Sequence, residues 1–179
     1  MKKNKQISLY TARGAIIAAL YVVLTMLAAA MQLSSGVIQL RISEALCVLP
    51  IFLPEAVPGL FVGCLISNLL SYTVSSTMLA GGVIWDIIFG SIATLIGAIG
   101  ARMLRHLPKK LIWLSTVPTI LSNMIIVPLV LLYALKLEGG FLFFAITVGI
   151  GEIICAGVGG TALFYILDKH KSQWLKRLY

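Results

Sequence analysis

Four acidic side chains lie in or beside strongly apolar stretches of this sequence, where a charge is costly to hold. They are Glu44, Asp86, Glu138 and Glu152, whereas Glu55 and Asp168 lie at predicted segment ends and are expected to be solvated. Glu152 lies about eleven residues into an apolar run, which places it near mid-membrane at about 1.5 Å per residue. A central charge costs about 2.5–3.5 kcal/mol on insertion scales, so each buried acid is expected to have a partner or a function.

Amides, hydroxyls and aromatic rings accompany these acids. One apolar segment carries a polar stripe at helical spacing, formed by Ser115, Thr119, Ser122 and Asn123. Other candidates precede or follow apolar segments: Gln39, Arg41, Asn68, Tyr72 and Trp85. Hydrogen-bonding side chains together with an aromatic ring are typical of a ligand cavity, so the pattern predicts a cavity that binds a solute. The alternative is that the groups satisfy one another, as Arg41 with Glu44 and Lys136 with Glu138.

No residue pattern in the sequence indicates catalysis. The chain has no HExxH, nucleophile-elbow or GxxxxGK[ST] motif. His106 and His170 lie among lysines and arginines at segment ends, which is typical of interfacial residues. Three cysteines, Cys47, Cys64 and Cys155, stand singly in apolar runs and favour packing over disulfide or metal chemistry. The sequence therefore predicts no catalytic residue, no metal site and no cofactor.

The elements that must position these groups are predicted to be membrane-spanning helices. Of 179 residues, 60% are hydrophobic and only 11% are charged, far too few to wet the surface of a soluble domain. We identify six apolar segments, namely Ile7–Leu33, Ile42–Leu53, Ala56–Tyr72, Val83–Leu104, Leu111–Leu135 and Phe141–Leu167. The prediction is an all-α integral membrane protein, one six-helix transmembrane bundle that forms a single domain over residues 1–179.

The distribution of basic residues orients this bundle. With a cytoplasmic N-terminus, twelve of the fourteen lysines and arginines lie on the cytoplasmic side, and only Arg41 and Lys136 lie outside. This split follows the positive-inside rule and predicts that both the N- and the C-terminus are cytoplasmic. The basic clusters are then contacts to anionic lipid headgroups, and nucleic-acid binding is not expected. The buried acids and amides fall in the outer half, so the predicted cavity opens outward.

The second apolar segment is too short to cross a bilayer. It has about a dozen residues where about 20 are needed, and prolines 50, 54 and 58 surround its end. Residues 42–72 are therefore either two short spans or a re-entrant hairpin. Both alternatives keep the termini on the same side.

Small residues at four-residue spacing allow close approach of helices in lipid. Ala15 and Ala19 in the first segment have this spacing near the predicted cytoplasmic end. Packing within the chain is the simpler interpretation. The alternative is that this pair docks another membrane protein.

Three stretches of the chain resemble a known family. Residues 39–46 read QLRISEAL, residues 48–52 read VLPIF, and residues 58–68 read PGLFVGCLISN. Together with Trp85-Asp86 and the glycine-rich last segment they resemble the QueT family over essentially the whole chain. That family comprises substrate-binding S components of energy-coupling factor (ECF) transporters, which import queuosine precursors.

The resemblance implies a function and partners. It implies a subunit of a bacterial cell membrane importer that binds a 7-deazaguanine such as preQ1, with Gln39, Arg41, Glu44, Asn68, Tyr72, Trp85, Asp86, Asn123 and Glu152 as candidate contacts. It also implies assembly with a transmembrane T component and two cytoplasmic ATPases, with Ala15 and Ala19 at the docking surface. The alternatives are an S component for a different vitamin or base, and a non-transport membrane adaptor.

Overall fold

The computed structural model describes residues 2–33, 39–74 and 83–170, and within them the chain forms helices joined by short turns with no strand. We number the five long helices in chain order. They are α1 Lys2–Ala30, α2 Ala56–Val74, α3 Val83–Met103, α4 Lys109–Ala134 and α5 Phe141–Lys169, and a 3₁₀ segment Ile42–Ile51 lies between α1 and α2. The predicted segment boundaries are confirmed to within a few residues, except that α1 begins earlier.

Two of these helices change geometry along their length. Helix α4 begins as 3₁₀ over Lys109–Thr116, is α-helical over Val117–Leu129 and ends as a π-helix over Val130–Ala134. Pro128 lies just before the π turn; because proline lacks an N–H, it removes one α-helical hydrogen bond there. Helix α5 contains a π-helical stretch, Ile153–Gly160, directly after Glu152. The sequence pattern did not predict these wider turns.

Four helices in the described ranges are long and apolar enough to cross a membrane, and they contain Gln6–Ala30, Ile84–Met103, Lys109–Ala134 and Phe141–Lys169. Two shorter apolar helices, Ile42–Ile51 and Ala56–Ser71, accompany them. The protein is therefore a helical integral membrane protein, as predicted. Six full spans remain a prediction, because length and apolarity support four.

Helices α1 and α2 run parallel. Gly59 of α2 packs against Gly14 of α1, and Gly63 packs against Ala18 and Tyr21, so the contact moves up both helices in the same direction. The 3₁₀ segment between them runs in the opposite direction. It begins at the height of Thr25, whose hydroxyl donates to Ser43 Oγ at 2.8 Å, and it ends where Arg102 donates to Pro50 O at 3.0 Å.

The remaining helices alternate in direction. Ser122 of α4 donates to Ala93 O of α3 at 2.9 Å, and Met124 of α4 packs on Gly149 of α5. At one end of the bundle Arg13 pairs with Glu55, Arg102 binds the end of the 3₁₀ segment, and Lys109 pairs with Asp168; we call this the basic end. The first turns of α1 and the last turn of α5 both lie toward this end, and the cytoplasmic placement of the two termini stays a prediction.

Packing is close inside the bundle, and many large apolar side chains point outward. Small residues such as Ala93, Ala98 and Ala101 of α3 are fully buried, while Ile16, Val23 and Leu142 are largely exposed. This inverts the arrangement of a soluble protein and suits contact with lipid, where small residues let helix backbones approach. The interior is consequently rich in polar side chains, which brings the candidate site residues together.

Candidate functional site

Polar side chains from the 3₁₀ segment and all five long helices occupy the middle of the bundle. We call them the polar cluster: Tyr21, Arg41, Glu44, Asn68, Asp86, Thr94, Asn123 and Glu152. All except the partly buried Arg41 are buried. Polar groups buried in a membrane bundle require hydrogen-bond partners or a ligand. Among the described residues, some members of the cluster have such partners and others keep an atom without one.

Glu44 is the best satisfied member. It begins the 3₁₀ segment and is fully buried. Its Oε1 accepts hydrogen bonds from the Tyr21 hydroxyl and from Thr94 Oγ1 (3.1 Å), and its Oε2 accepts from Cys47 Sγ at 2.9 Å. Both carboxylate oxygens therefore have donors, and the residue ties α1, the 3₁₀ segment and α3 together.

Arg41 provides the positive charge of the cluster. Its guanidinium lies beside Gly90 of α3, where a Cβ would stand 3.9 Å from Arg41 Nη1 and 3.1 Å from Asn68 Nδ2. Asp86 is the acid that interacts with it most strongly, with Glu44 weaker, and Arg41 also acts on Glu152. The alternative that Arg41 and Glu44 satisfy one another as an ordinary ion pair therefore describes only part of the arrangement, because Arg41 also interacts with Asp86 and Glu152.

Asn123 and Glu152 each keep an acceptor atom without a hydrogen-bond partner among the described residues. These atoms are Asn123 Oδ1 and Glu152 Oε2, and the residues are 0% and 4% exposed. Asn123 Nδ2 donates to Thr119 O at 3.2 Å. Helices α4 and α5 pack antiparallel with Thr116 beside Gly160, Ile120 beside Gly157 and Met124 beside Gly149. That register places Asn123 and Glu152 at the same height.

One predicted site residue, Trp85, does not join the cluster, and Gln39 and Tyr72 are not assigned to it. Trp85 is 49% exposed and stacks on Phe89 with ring centroids 5.9 Å apart, in an outward-facing apolar groove of about 550 Å³ between α3 and α4. Consecutive helical residues point about 100° apart, so Trp85 faces outward while Asp86 is buried. Gln39 is partly buried ahead of the 3₁₀ segment. Tyr72 is in α2, and its side chain lies outside the described part of the structure.

Some functional residues escaped sequence reasoning. Tyr21 and Thr94 complete the Glu44 network, yet a tyrosine and a threonine in apolar helices give no distinctive signal. Glu55 was expected to be solvated, which is wrong: it is 2% exposed and pairs with Arg13 at 3.2 Å. The sequence did contain a signal for this ion pair, because the predicted topology places Arg13 and Glu55 at the same end of the bundle.

Ala15 lies at a separate surface. With Gly14, Ala18 and Gly59 it lines a shallow apolar groove of about 310 Å³ between α1 and α2. Ala15 and Ala19 are both exposed, which a docking role requires. Their side chains are therefore not buried by packing within the chain.

Apolar helices around a buried polar cluster define a helical integral membrane protein with a polar interior. The comparisons with known proteins are specific. The QueT transporter family model matches residues 11–169, so the chain belongs to the QueT transporter family. The predicted family is confirmed, and this is a family of transporters rather than enzymes.

A curated relative agrees with this assignment. The chain is 39% identical over 97 residues to the protein named queuosine precursor transporter QueT of Lactococcus lactis subsp. cremoris (strain MG1363). The match covers 54% of this chain and 50% of the relative, so it spans about half the length of each. No solved structure gives a significant match.

Proposed function

We propose that this chain is the substrate-binding S component of an ECF-type importer in the bacterial plasma membrane, and that it binds a queuosine precursor. The 7-deazaguanine preQ1, 7-aminomethyl-7-deazaguanine, is the representative substrate. Family membership supports transport, and the name of the relative supports the substrate class. The observation that carries the proposal is the polar cluster, in which three buried acids face one arginine.

The chemistry of the substrate class matches this cluster. A deazaguanine presents ring and exocyclic N–H donors, and preQ1 adds a cationic amine. Buried carboxylates accept such donors and attract a cation, since charge-assisted hydrogen bonds are stronger than neutral ones. Arg41, Glu44, Asn68, Asp86, Asn123 and Glu152 are the proposed lining or support of the site. Gln39 and Tyr72 remain predicted contacts at its mouth.

The proposal is tested by ligand binding to the purified full chain in detergent. Calorimetry and thermal shift compare preQ1, the neutral 7-cyano-7-deazaguanine, guanine and a panel of vitamins. We expect preQ1 to bind and raise the melting temperature, because a ligand that binds only the folded form stabilises it. We also expect the neutral analogue to bind more weakly, because it lacks the amine that can form charge-assisted hydrogen bonds with a carboxylate. Binding of a vitamin and of no deazaguanine would refute the substrate assignment.

The proposed partners are a transmembrane T component and two cytoplasmic ATPases. A member of a transporter family without an ATP-binding motif needs an energy source elsewhere. The groove beside Ala15 is the proposed surface for the T component, because small exposed residues permit close approach of a helix. Co-purification of the tagged chain with T component and ATPases tests the assembly.

A further inference from the structure

Two buried acceptor atoms distinguish one side of the polar cluster. Asn123 Oδ1 and Glu152 Oε2 accept no hydrogen bond from the part of the chain that the structure describes. Both residues are more than nine-tenths buried, at 0% and 4% exposure. Leaving two acceptors unpaired in a protein interior is costly, so such atoms point to a ligand that supplies donors.

The orientation of the Asn123 amide decides which kind of ligand atom it can meet. Nδ2 donates to Thr119 O at 3.2 Å, and turning the amide over would place Oδ1 against that carbonyl instead. The free atom is therefore an acceptor.

Glu44 provides the contrast within the same cluster. Its two oxygens already accept from Tyr21, Thr94 and Cys47. A carboxylate with donors on both oxygens positions its neighbours and offers little to a ligand. The acids of the cluster therefore divide into a structural one and at least one with an open oxygen.

We propose that Asn123 and Glu152 form the subsite that receives two N–H donors of the bound base: Glu152 accepts from the exocyclic 2-amino group of a guanine-like edge, and Asn123 Oδ1 accepts from the ring N1–H. The two residues lie at equal height on the neighbouring helices α4 and α5, which is the arrangement that a single planar ligand edge requires. Glu44 is a positioning residue for the 3₁₀ segment. This assignment rests on the proposed function, since it presupposes a purine-like ligand.

The subsite is tested by a thermodynamic cycle in which a protein side chain and a group of the ligand are removed separately and together. Wild type, Glu152→Gln and Glu44→Gln are each titrated with preQ1 and with its analogue lacking the 2-amino group. We expect wild type to lose about tenfold to a hundredfold in affinity for the analogue, the usual range for a hydrogen bond to a charged group. In Glu152→Gln that loss should shrink. In Glu44→Gln it should stay as large as in wild type, even where both affinities fall.

Each of the other outcomes overturns either the subsite alone or the subsite together with the proposed function. Equal affinity of wild type for the two ligands, or coupling at Glu44 instead of Glu152, overturns the subsite while the proposed function stands. If Glu152→Gln instead reduces the loss of affinity caused by removing the 6-oxo group, Glu152 donates to that oxygen. This outcome also overturns the subsite. Failure of wild type to bind any purine-like base overturns the proposed function and the subsite together. Should Glu152→Gln not fold, the wild-type comparison of the two ligands still decides.

Discussion

At the scale of single residues, the hydrogen bond from Tyr21 to Glu44 is expected to stabilise the fold. Tyr21 is 1% exposed, and its hydroxyl is one of three donors to the fully buried carboxylate. Tyr21→Phe removes that donor without leaving a cavity. We predict a loss of about 1.5–3 kcal/mol in the free energy of unfolding, measured by denaturant titration in mixed micelles. Tyr133→Phe is the control, because Tyr133 is 77% exposed and should be nearly neutral.

The two ion pairs at the basic end are expected to differ in energetic weight. Glu55 is 2% exposed and Arg13 14%, whereas Lys109 is 69% exposed and Asp168 17%. Glu55→Gln leaves a mostly buried guanidinium without its carboxylate, so we predict a loss of about 3 kcal/mol in unfolding free energy. Asp168→Asn should cost less than about 1 kcal/mol, because solvent screens its partner. Equal losses for the two variants would contradict this ranking.

Much of the candidate site was predictable residue by residue, because charged and amide groups are rare inside apolar helices. Arg41, Glu44, Asp86, Asn123 and Glu152 were identified on that ground. What the sequence could not supply is which groups satisfy one another, since this depends on tertiary contacts. Only the structure separates the saturated Glu44 from the open Glu152. The inclusion of Trp85 was avoidable, since adjacent helical residues do not share one face.

At the scale of helices, glycine at the α1–α2 contact sets how closely two backbones approach. A methyl group at Gly63 would come within 2.8 Å of Tyr21 Cβ and 2.9 Å of Ala18 O. Gly63→Ala is therefore predicted to lower the melting temperature, with an overpacking cost of about 1–3 kcal/mol. Gly157→Ala is the matched control in α5, where the nearest atom would be 3.6 Å away. Its substitution should leave the melting temperature close to that of wild type.

Helix boundaries were predictable because apolar runs end at charges and prolines. The predicted segments Val83–Leu104 and Phe141–Leu167 compare with helices Val83–Met103 and Phe141–Lys169. The π-helical turns and the parallel course of α1 and α2 were not predictable. The parallel course depends on contacts between elements distant in sequence, such as Gly59 against Gly14, whereas the π turns have no distinct pattern within an apolar run.

At the scale of the whole molecule, the basic end is predicted to face the cytoplasm. It carries Arg105, Lys110 and Lys169 on its exposed surface, and positively charged loops are retained inside. In a variant whose three native cysteines are replaced, we expect Glu138→Cys to react with a membrane-impermeant maleimide in intact cells. Lys110→Cys should react only after permeabilisation. The reverse pattern would invert the topology and place the polar cluster on the wrong side for uptake.

Assembly is predicted to depend on the small side chains beside the α1–α2 groove. Ala15 lines that groove, so a bulky residue there should block close approach of a partner helix without reaching the polar cluster. We predict that Ala15→Trp abolishes co-purification with the T component and ATPases while preQ1 affinity stays within about twofold of wild type. Leu20→Trp is the control: it lies about 140° further round α1, and Leu20 is already 48% exposed to lipid. Loss of assembly in both variants would indicate a general defect of α1, and retention in both would show that the partner docks elsewhere.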